Sequence, residues 1–393
     1  MKACHRRTRS TTRSGERSRS STTRSAGRAL RAARWLIPVT LLALTLGTDN
    51  ANGLLISSTA PLTVRLDATV EVHAGAGDAL EVWIPVPSTD ESQDVDLSTL
   101  EVDLGGLPIP WELTTDEVGN HFVHLRNPAP ATPLTVHYGV VVRRNSRGYV
   151  GTQPLEPVIE SMTRSDNATI DYPYGGSVQG ALASIEQAGS VEEIVGMVLD
   201  RLLGAVDGID GGLRQAILLN EVLRRNGEYI KVGAYGLGSS TWFCLTGQGN
   251  CTDFHFTYLD IAERVALPAR FRIGIPLSPD PNLPVPSSGD IPGYHCWVYL
   301  DGDLGFAIDP SWEARLEAPT GTYFGRPFND RIKLTEGANL SLSPPIQGEP
   351  LPYLFEAYAE SEGVPIERIY GAAEPSSGAG AYVRTTYAFI RIN

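Results

Sequence analysis

The thiol of Cys251 is the side chain of this sequence best placed for nucleophilic chemistry. It follows Gly249 and Asn250, and Asn is favoured at the cap position that precedes a helix. Asp253 stands where the second partner of a capping box belongs. Apolar residues then recur at helical spacing, at Phe254, Tyr258, Ile261 and Val265. The pattern predicts a helix over residues 251–266 with the thiol in its first turn.

A thiol in the first turn of a helix is chemically activated. The helix dipole and the unpaired N–H groups favour the thiolate, so the pKa of Cys251 should fall. The same N–H groups can stabilise an oxyanion that forms beside the sulfur. The alternative interpretation is a buried cysteine that packs as a small hydrophobic residue.

His295 and Asp309 belong to a predicted β-hairpin. Apolar segments 294–300 and 304–308 flank Asp301-Gly302-Asp303, which is typical of a tight turn. With a three-residue loop, His295 lies directly opposite Asp309, and their Cβ atoms are about 5 Å apart. At that distance the carboxylate can orient the imidazole and stabilise its protonated form. Taken singly, either residue also fits a structural role, and a one-residue slip would separate them.

The elements around these residues predict an α+β domain. Helical periodicity covers residues 191–203 and 213–225, ahead of the helix that begins at Cys251. Segments with β character follow at 269–275, 294–300 and 304–308. Helices followed by an antiparallel sheet are typical of the α+β class. The stretch 276–292, rich in Pro, Ser and Gly, is predicted to form a rim or lid.

The preceding residues predict a separate β-sandwich-like domain. Short segments with β character are separated by turn residues and lie at 62–72, 80–86, 122–125 and 134–142. The complete predicted division is a leader, the β-sandwich-like domain, a connector, a catalytic domain, and a C-terminal extension that packs on the core. Their ranges are 1–53, 54–145, 146–185, 186–335 and 336–393.

Residues 244–313 resemble the core of the transglutaminase-like superfamily. The family motif runs G-x-C-x-D, G-I-P-A-R, H-x-W and D-P. It is matched here at residues 249–253, 266–270, 295–297 and 309–310. The stretch 323–351 also resembles the tail of exported bacterial members, which carry an N-terminal β domain. The remaining part of the chain is covered more loosely.

The resemblance implies a papain-like thiol enzyme that acts on amide bonds of a protein or peptide through a thioester. Cys251 would be the nucleophile, His295 the general base and then acid, and Asp309 the residue that orients the imidazole. No metal or organic cofactor is implied. Because bacterial members are often peptidases, the resemblance favours hydrolysis. Transamidation of glutamine side chains and a catalytically silent binding module with the same fold remain alternatives.

Several residues near the motif allow more than one interpretation. Gln248 and Trp242 are candidate oxyanion donors, although loop packing explains both equally well. The family glycine is replaced by Ala266, which we expect to be a mild change in packing. Cys296 is interpreted as a packing residue or as a disulfide partner for Cys244.

A zinc site is a further alternative. Cys251 and His255 are spaced for one helix face, and His295 and Cys296 follow later in the chain. The order of these ligands fits no common zinc spacing, and His255 is more simply a structural residue of the helix face.

The charge of the chain is divided unequally. The 393 residues include 32 basic and 45 acidic side chains, for a net charge of −13. Residues 1–34 hold ten Arg and Lys2 against Glu16, so this segment is +10 and the remainder is −23. The acidic body disfavours nucleic acid as a partner. It leaves a cationic substrate, such as a basic peptide or an amine donor, as an open possibility.

The basic segment precedes an apolar run at residues 35–47. Thirteen residues are too few to span a bilayer comfortably and match the apolar part of a secretory signal. We therefore expect an extracytoplasmic protein, with membrane contact only if the leader remains as an uncleaved anchor. Beyond the leader, Cys244, Cys251 and Cys296 form an odd set, so at least one thiol stays free unless chains pair.

Overall fold

The computed structural model describes residues 55–58, 60–75, 77–127, 133–145, 147–150, 196, 198–200, 202–203, 212–231, 236, 238–318, 321–326, 328–377 and 380–392. The predicted leader, 1–53, lies outside these residues, as do nearly all of the predicted connector, 146–185, and much of the predicted helix at 191–203. Within the described part of the chain, no helix has the length and apolar character needed to cross a membrane.

Nineteen strands and four helices have defined bounds among the described residues. The strands are β1 Leu55–Ser58, β2 Leu62–His73, β3 Leu80–Val86, β4 Gln93–Asp103, β5 Trp111–Thr115, β6 His121–Asn127, β7 Leu134–Arg144, β8 Arg147–Val150, β9 Glu228–Tyr229, β10 Gln248–Gly249, β11 Ala269–Pro276, β12 Ser288–Ile291, β13 His295–Leu300, β14 Phe306–Ile308, β15 Arg331–Glu336, β16 Tyr358–Ser361, β17 Val364–Pro365, β18 Glu367–Tyr370 and β19 Tyr382–Arg391. The helices are α1 Gly212–Asn226, α2 Ser240–Thr246, α3 Cys251–Arg264 and α4 Pro310–Arg315.

Two large sheets form the β-rich part of the molecule. One has the strand order β12-β19-β2-β7-β4 with β18 beside β19, and the other has the order β17-β16-β3-β6-β5. Every second residue of β2 is buried, as its period-two pattern predicted. Buried residues of β2, β3, β6 and β7 belong to one apolar core, so the two sheets are held together by their inner faces.

The C-terminal strands complete both of these sheets. β16 pairs with β3, and β19 pairs with β2 along ten residues. The stretch 276–292, predicted as a rim or lid, ends in β12, which pairs with the outer side of β19. Residues far apart in the sequence therefore share sheets, an arrangement that local sequence patterns do not reveal.

The remaining part of the chain is an α+β unit, and the α+β class is confirmed. Its four-stranded sheet has the order β14-β13-β11-β15. Buried apolar residues of α1 and α3 form a core with β13 and β14. The predicted helix over 213–225 is α1, and the predicted helix over 251–266 is α3.

The predicted hairpin forms, but its register is wrong by two residues. Leu300 pairs with Phe306 and Val298 pairs with Ile308. The loop therefore has five residues, 301–305, and Gly302 and Gly305 adopt φ of 65° and 62°. A shift of two residues leaves each side chain on the same face of the sheet, so His295 keeps the face that was predicted for it.

Candidate active site

Cys251 is the first residue of α3, as the capping pattern predicted. The Asn250 side chain accepts a hydrogen bond from the N–H of Thr252 at 2.9 Å. Asp253 Oδ2 accepts one from the N–H of Asn250 at 3.0 Å, which completes the capping box. A Cβ on Gly249 would lie 2.6 Å from the Cβ of Asp253, so this close approach requires glycine. The cap therefore fixes the buried thiol at the helix start.

His295 and Asp309 meet beside this thiol. His295 Nε2 lies 2.6 Å from Asp309 Oδ2, and both side chains are buried. Asp309 follows β14 and caps α4, so it contacts His295 from beyond the strand and not as its cross-strand partner. The Cys251 thiol also hydrogen-bonds to His295. Because Nε2 is bound to Asp309, the ring nitrogen left for the thiol is Nδ1.

Hydrogen bonds to Asp309 hold its carboxylate in place. Oδ1 accepts from Ser311 Oγ at 2.7 Å and from the N–H of Trp312 at 3.0 Å, while Oδ2 also accepts from Arg331 at 3.0 Å. Burial alone would raise the pKa of Asp309, but His295, His255 and Arg331 hold it well below its usual range. The carboxylate is therefore ionised and can stabilise a protonated imidazole.

Arg331 is a buried partner of Asp309 that the sequence analysis did not identify. Its guanidinium carbon lies 3.9 Å from the ring centroid of Phe328, 4.9 Å from that of Trp312 and 5.2 Å from that of Trp297. Arg331 begins β15, two strands away from β13. The only signal was its place in the stretch 323–351 that resembles exported family members, and that signal gives no role.

His255 and Cys296 complete the buried polar cluster. His255 Nδ1 lies 3.2 Å from Cys296 Sγ, and its Nε2 lies 3.4 Å from Asp309 Oδ1. Of the two interpretations of Cys296, the disulfide with Cys244 is wrong, because both thiols are free and Cys244 packs in the apolar core of the helices. Among the described residues, no group of three or more His, Cys, Asp or Glu side chains has a metal-binding arrangement.

The electrostatics separate the three thiols. Burial raises the pKa of Cys251, but hydrogen bonds from Cys296 and His295 and the nearby imidazoles outweigh it and hold the pKa well below its usual value. Burial lowers the pKa of His295, and the Asp309 carboxylate and the Cys251 thiolate raise it overall. By contrast, burial raises the pKa of Cys244 to about 12 and raises that of Cys296 well above its usual value. The arrangement favours a Cys251 thiolate beside a His295 imidazolium.

A cavity of about 410 Å³ adjoins the thiol. Its lining consists of Cys251, Asn250, Tyr229, Lys231, Pro292, Gly293, Tyr294, Arg315, Tyr370 and Ala373. Lys231, Arg315 and Ala373 are exposed residues, so the cavity opens to solvent. Pro292 and Gly293 follow β12, so the end of the predicted rim does border the cavity.

The two candidate oxyanion donors do not line this cavity. The side-chain amide of Gln248 donates to Glu228 Oε2 at 2.7 Å, and neither residue belongs to the cavity lining. The indole N–H of Trp242 in α2 is buried, has no partner among the described residues, and lies outside the cavity lining. In the first turn of α3, Asn250 binds the N–H groups of Thr252 and Asp253. The N–H of Cys251 has no partner among the described residues.

Ala266 is more than the mild packing change that the sequence suggested. It follows α3 with φ of 53°, in the left-handed region that favours glycine. Its N–H donates to the carbonyl of Glu263, and the N–H of Leu267 donates to that of Ala262, which closes the helix end. The alanine therefore carries backbone strain where the family motif has glycine.

One known family matches part of this chain. The family model of the transglutaminase-like superfamily matches residues 204–306. No curated protein matches the sequence. A structure from Cytophaga hutchinsonii, provisionally assigned as a cysteine protease, is 12% identical with a TM-score of 0.45 and covers 86% of this chain and 99% of its own.

The periplasmic domain of TgpA from Pseudomonas aeruginosa, bound to ethylmercury, is 15% identical with a TM-score of 0.27, and the match covers 66% of this chain and 92% of that one. Both TM-scores are below 0.5, so the assignment depends on the family model. Residues 204–306, which include Cys251 and His295, therefore give this chain a domain of the transglutaminase-like superfamily.

Proposed function

We propose that this protein is a thiol hydrolase that cleaves amide bonds of peptides or proteins, with Cys251, His295 and Asp309 as its catalytic triad. One observation carries the proposal: a continuous hydrogen-bonded chain runs from the thiol through the imidazole to the carboxylate, and the thiol borders a cavity open to solvent.

In the first step the Cys251 thiolate attacks the carbonyl carbon of the amide. A C–S bond forms, and the carbonyl oxygen becomes an oxyanion that the N–H of Cys251, which has no partner among the described residues, can stabilise. The His295 imidazolium then gives its proton to the amide nitrogen. The C–N bond breaks, an amine leaves, and a thioester remains on Cys251.

In the second step His295, now neutral, takes a proton from water. The resulting hydroxide attacks the thioester carbon, the C–S bond breaks, and a carboxylic acid and the thiolate are released. Asp309 stays ionised throughout and stabilises the imidazolium at 2.6 Å. Arg331 and His255 position Asp309 and take no part in proton transfer.

Hydrolysis is favoured over transamidation by the charges at the cavity. Lys231 and Arg315 are exposed on its lining, so a protonated lysine side chain that approached the thioester would meet two like charges. Water is not subject to this repulsion. Transamidation stays the second candidate, since the same thioester can react with an amine.

The leader indicates the location. The basic flank and the apolar run at 35–47 favour export, so we propose that the enzyme acts outside the cytoplasm. Signal cleavage is tested by N-terminal sequencing of the exported protein, and a cytoplasmic protein with its leader intact would contradict this part of the proposal.

The thiol pKa tests the enzyme hypothesis directly. Iodoacetamide should alkylate Cys251 rapidly at pH 6.5, because only a thiolate reacts and the pKa values of Cys244 and Cys296 are raised. Peptide mapping by mass spectrometry identifies the modified cysteine. Slow alkylation of Cys251 with a midpoint above pH 8 would refute the catalytic interpretation.

A peptide assay separates the remaining alternatives. Release of acid and amine from a peptide library, abolished by Cys251→Ala, supports the hydrolase. Incorporation of a fluorescent amine into a glutamine peptide, also abolished by Cys251→Ala, would establish transamidation instead. A Cys251→Ala variant that changes nothing in any assay would identify a binding module.

A further inference from the structure

The cavity beside Cys251 carries a charge opposite to that of the rest of the molecule. Outside residues 1–34 the chain has a net charge of −23. The charged side chains on the cavity lining are nevertheless Lys231 and Arg315, and the lining includes no Asp or Glu among the described residues. The chain is acidic overall, which left a cationic substrate possible, but the charged side chains on the cavity lining are basic.

The side chains of Lys231 and Arg315 have no charged partner elsewhere in the described structure. No ion pair or hydrogen bond with a described residue involves either side chain. Arg315 does contact an aromatic ring: its guanidinium carbon lies 5.5 Å from the ring centroid of Tyr229, which also lines the cavity. By contrast, the buried guanidinium groups of Arg272 and Arg331 are both paired with carboxylates.

The hydrogen-bond network of the thiol accounts for its reactivity without them. Cys251 is bonded to His295 and Cys296, and Asp309, His255 and Arg331 complete the buried cluster. Lys231 and Arg315 lie on the solvent side of the cavity, where a substrate enters. Their position is suited to binding a group of the substrate and not to activating the Cys251 thiol.

We propose that Lys231 and Arg315 determine specificity by binding a carboxylate of the acyl donor, so that the substrate is an acidic peptide. This inference rests on the proposed function, because it concerns the same thiol and cavity. Lysine and arginine both pair with carboxylates, and arginine can do so through two parallel hydrogen bonds. Exposed pairs of this kind are screened by salt, so selectivity should weaken as ionic strength rises.

The carboxylate can come from an Asp or Glu side chain near the scissile amide or from the free C-terminus of a short peptide. Three matched peptides separate these sources: one with Glu beside the scissile amide and an amidated C-terminus, one with Gln at that position and an amidated C-terminus, and one with Gln and a free C-terminus. A higher kcat/KM than that of the amidated Gln peptide identifies which carboxylate is bound.

A pair of thiol reagents tests the charge effect without a substrate. Iodoacetate and iodoacetamide perform the same alkylation of Cys251, and only iodoacetate carries a carboxylate. In the double variant Lys231→Gln and Arg315→Gln, the rate ratio of iodoacetate to iodoacetamide should fall about tenfold at low salt. The ratio cancels any change in the thiolate itself.

A matched control removes the effect of net charge. Arg143 and Arg391 are exposed on the β sheets and lie outside the cavity lining. The double variant Arg143→Gln and Arg391→Gln loses the same two charges and should keep the wild-type ratio. Because the four substituted residues are exposed, thermal melting of both variants should stay close to that of the wild type.

The outcomes distinguish the two proposals. Rapid iodoacetamide alkylation with an unchanged ratio in the cavity variant would refute the specificity proposal and leave the hydrolase intact. Slow alkylation by both reagents would refute the hydrolase. Two kinetic results would also refute carboxylate binding. One is a wild-type enzyme that prefers the amidated Gln peptide over both peptides with a carboxylate. The other is an equal loss of kcat/KM for all three peptides in the double variant Lys231→Gln and Arg315→Gln.

Discussion

Among the described residues, the buried charges around Asp309 contact a thiol, whereas those around Arg272 contact other charged groups and an aromatic ring. In the first cluster, Asp309 is bonded to His295 and Arg331. In the second, Arg272 Nε donates to Glu336 at 2.7 Å and its NH2 group donates to Glu91 at 2.7 Å. Both contain fully buried guanidinium groups and ionised carboxylates. Burial and charge are therefore insufficient to mark a catalytic site.

The difference lies in what the second end of each network contacts. His295 uses one ring nitrogen for Asp309 and has the other available for Cys251. The Arg272 network joins the turn between β3 and β4 to β11 and β15, and its charged groups form ion pairs with one another. We refer to the network of Cys251, His295, Asp309 and Arg331 as the thiol cluster, and to that of Arg272, Glu336 and Glu91 as the Arg272 cluster. The first is expected to control chemistry and the second stability.

The largest effect is expected at the thiol cluster. Asp309→Asn should lower kcat by about 10⁴-fold, because the neutral amide cannot stabilise the His295 imidazolium. The alkylation midpoint of Cys251 should rise in the same variant. Steady-state kinetics and iodoacetamide labelling measure both effects. A variant with wild-type kcat would show that the carboxylate is structural only.

The Arg272 cluster should give the second largest effect. Arg272→Met leaves Glu336 and Glu91 without their buried partner, which should reduce the free energy of unfolding by about 3–5 kcal/mol. Urea unfolding measures the loss, and kcat per folded molecule at low temperature should stay within about twofold of wild type. Loss of kcat with stability unchanged would reverse the roles of the two clusters.

Acid should weaken the Arg272 cluster in a defined window. Burial raises the pKa of Glu91, but Arg272 and Arg270 outweigh it and lower the pKa from 4.5 to about 2. Arg272 and Lys333 likewise overcome the effect of burial and lower the pKa of Asp90. Because these folded-state pKa values lie below the unfolded ones, the stabilisation is complete above pH 4.5 and is lost as pH falls towards 2.

Unfolding monitored by circular dichroism between about pH 5 and pH 2 checks this expectation. Wild type should lose stability faster with falling pH than Arg272→Met, in which the carboxylates have lost that partner. Parallel slopes in the two proteins would exclude the Arg272 cluster as the acid-sensitive element.

The smallest expected effect lies just beyond the end of α3, at a residue that belongs to neither cluster. Ala266→Gly should increase the free energy of unfolding by about 1 kcal/mol, because glycine adopts φ of 53° without strain. The matched control is Ala262→Gly inside α3, which should instead destabilise the protein by about 1 kcal/mol or more. Urea unfolding of both variants measures the two effects, and destabilisation by both substitutions would contradict the strain at Ala266.

Local patterns were sufficient to predict the thiol and its helix. The cap at Asn250, the partner Asp253 and the apolar repeat all act within a few turns of chain, so the start of α3 was predictable. The contact between His295 and Asp309 was predicted for the correct face with an incorrect register, because turn residues indicate a loop but do not fix its length.

Long-range contacts were not predictable from the same patterns. Arg331 reaches Asp309 from β15, at the opposite edge of the sheet from β14, and Glu91 reaches Arg272 from the β-rich part of the chain. Neither residue has a spacing that relates it to its partner. The C-terminal strands were similarly missed, because β pairing depends on the topology of the whole chain.

The position of β19 has a consequence for how the chain acquires its structure. Arg391 pairs with Val64, and Tyr382 pairs with His73, so β2 lacks this neighbour until residues 382–391 have been synthesised. During synthesis, one side of β2 exposes unpaired backbone groups that can pair with another chain. Removal of residues 382–391 would leave that edge of β2 open, and we expect such a variant to aggregate while the buried cluster around Cys251 is still intact.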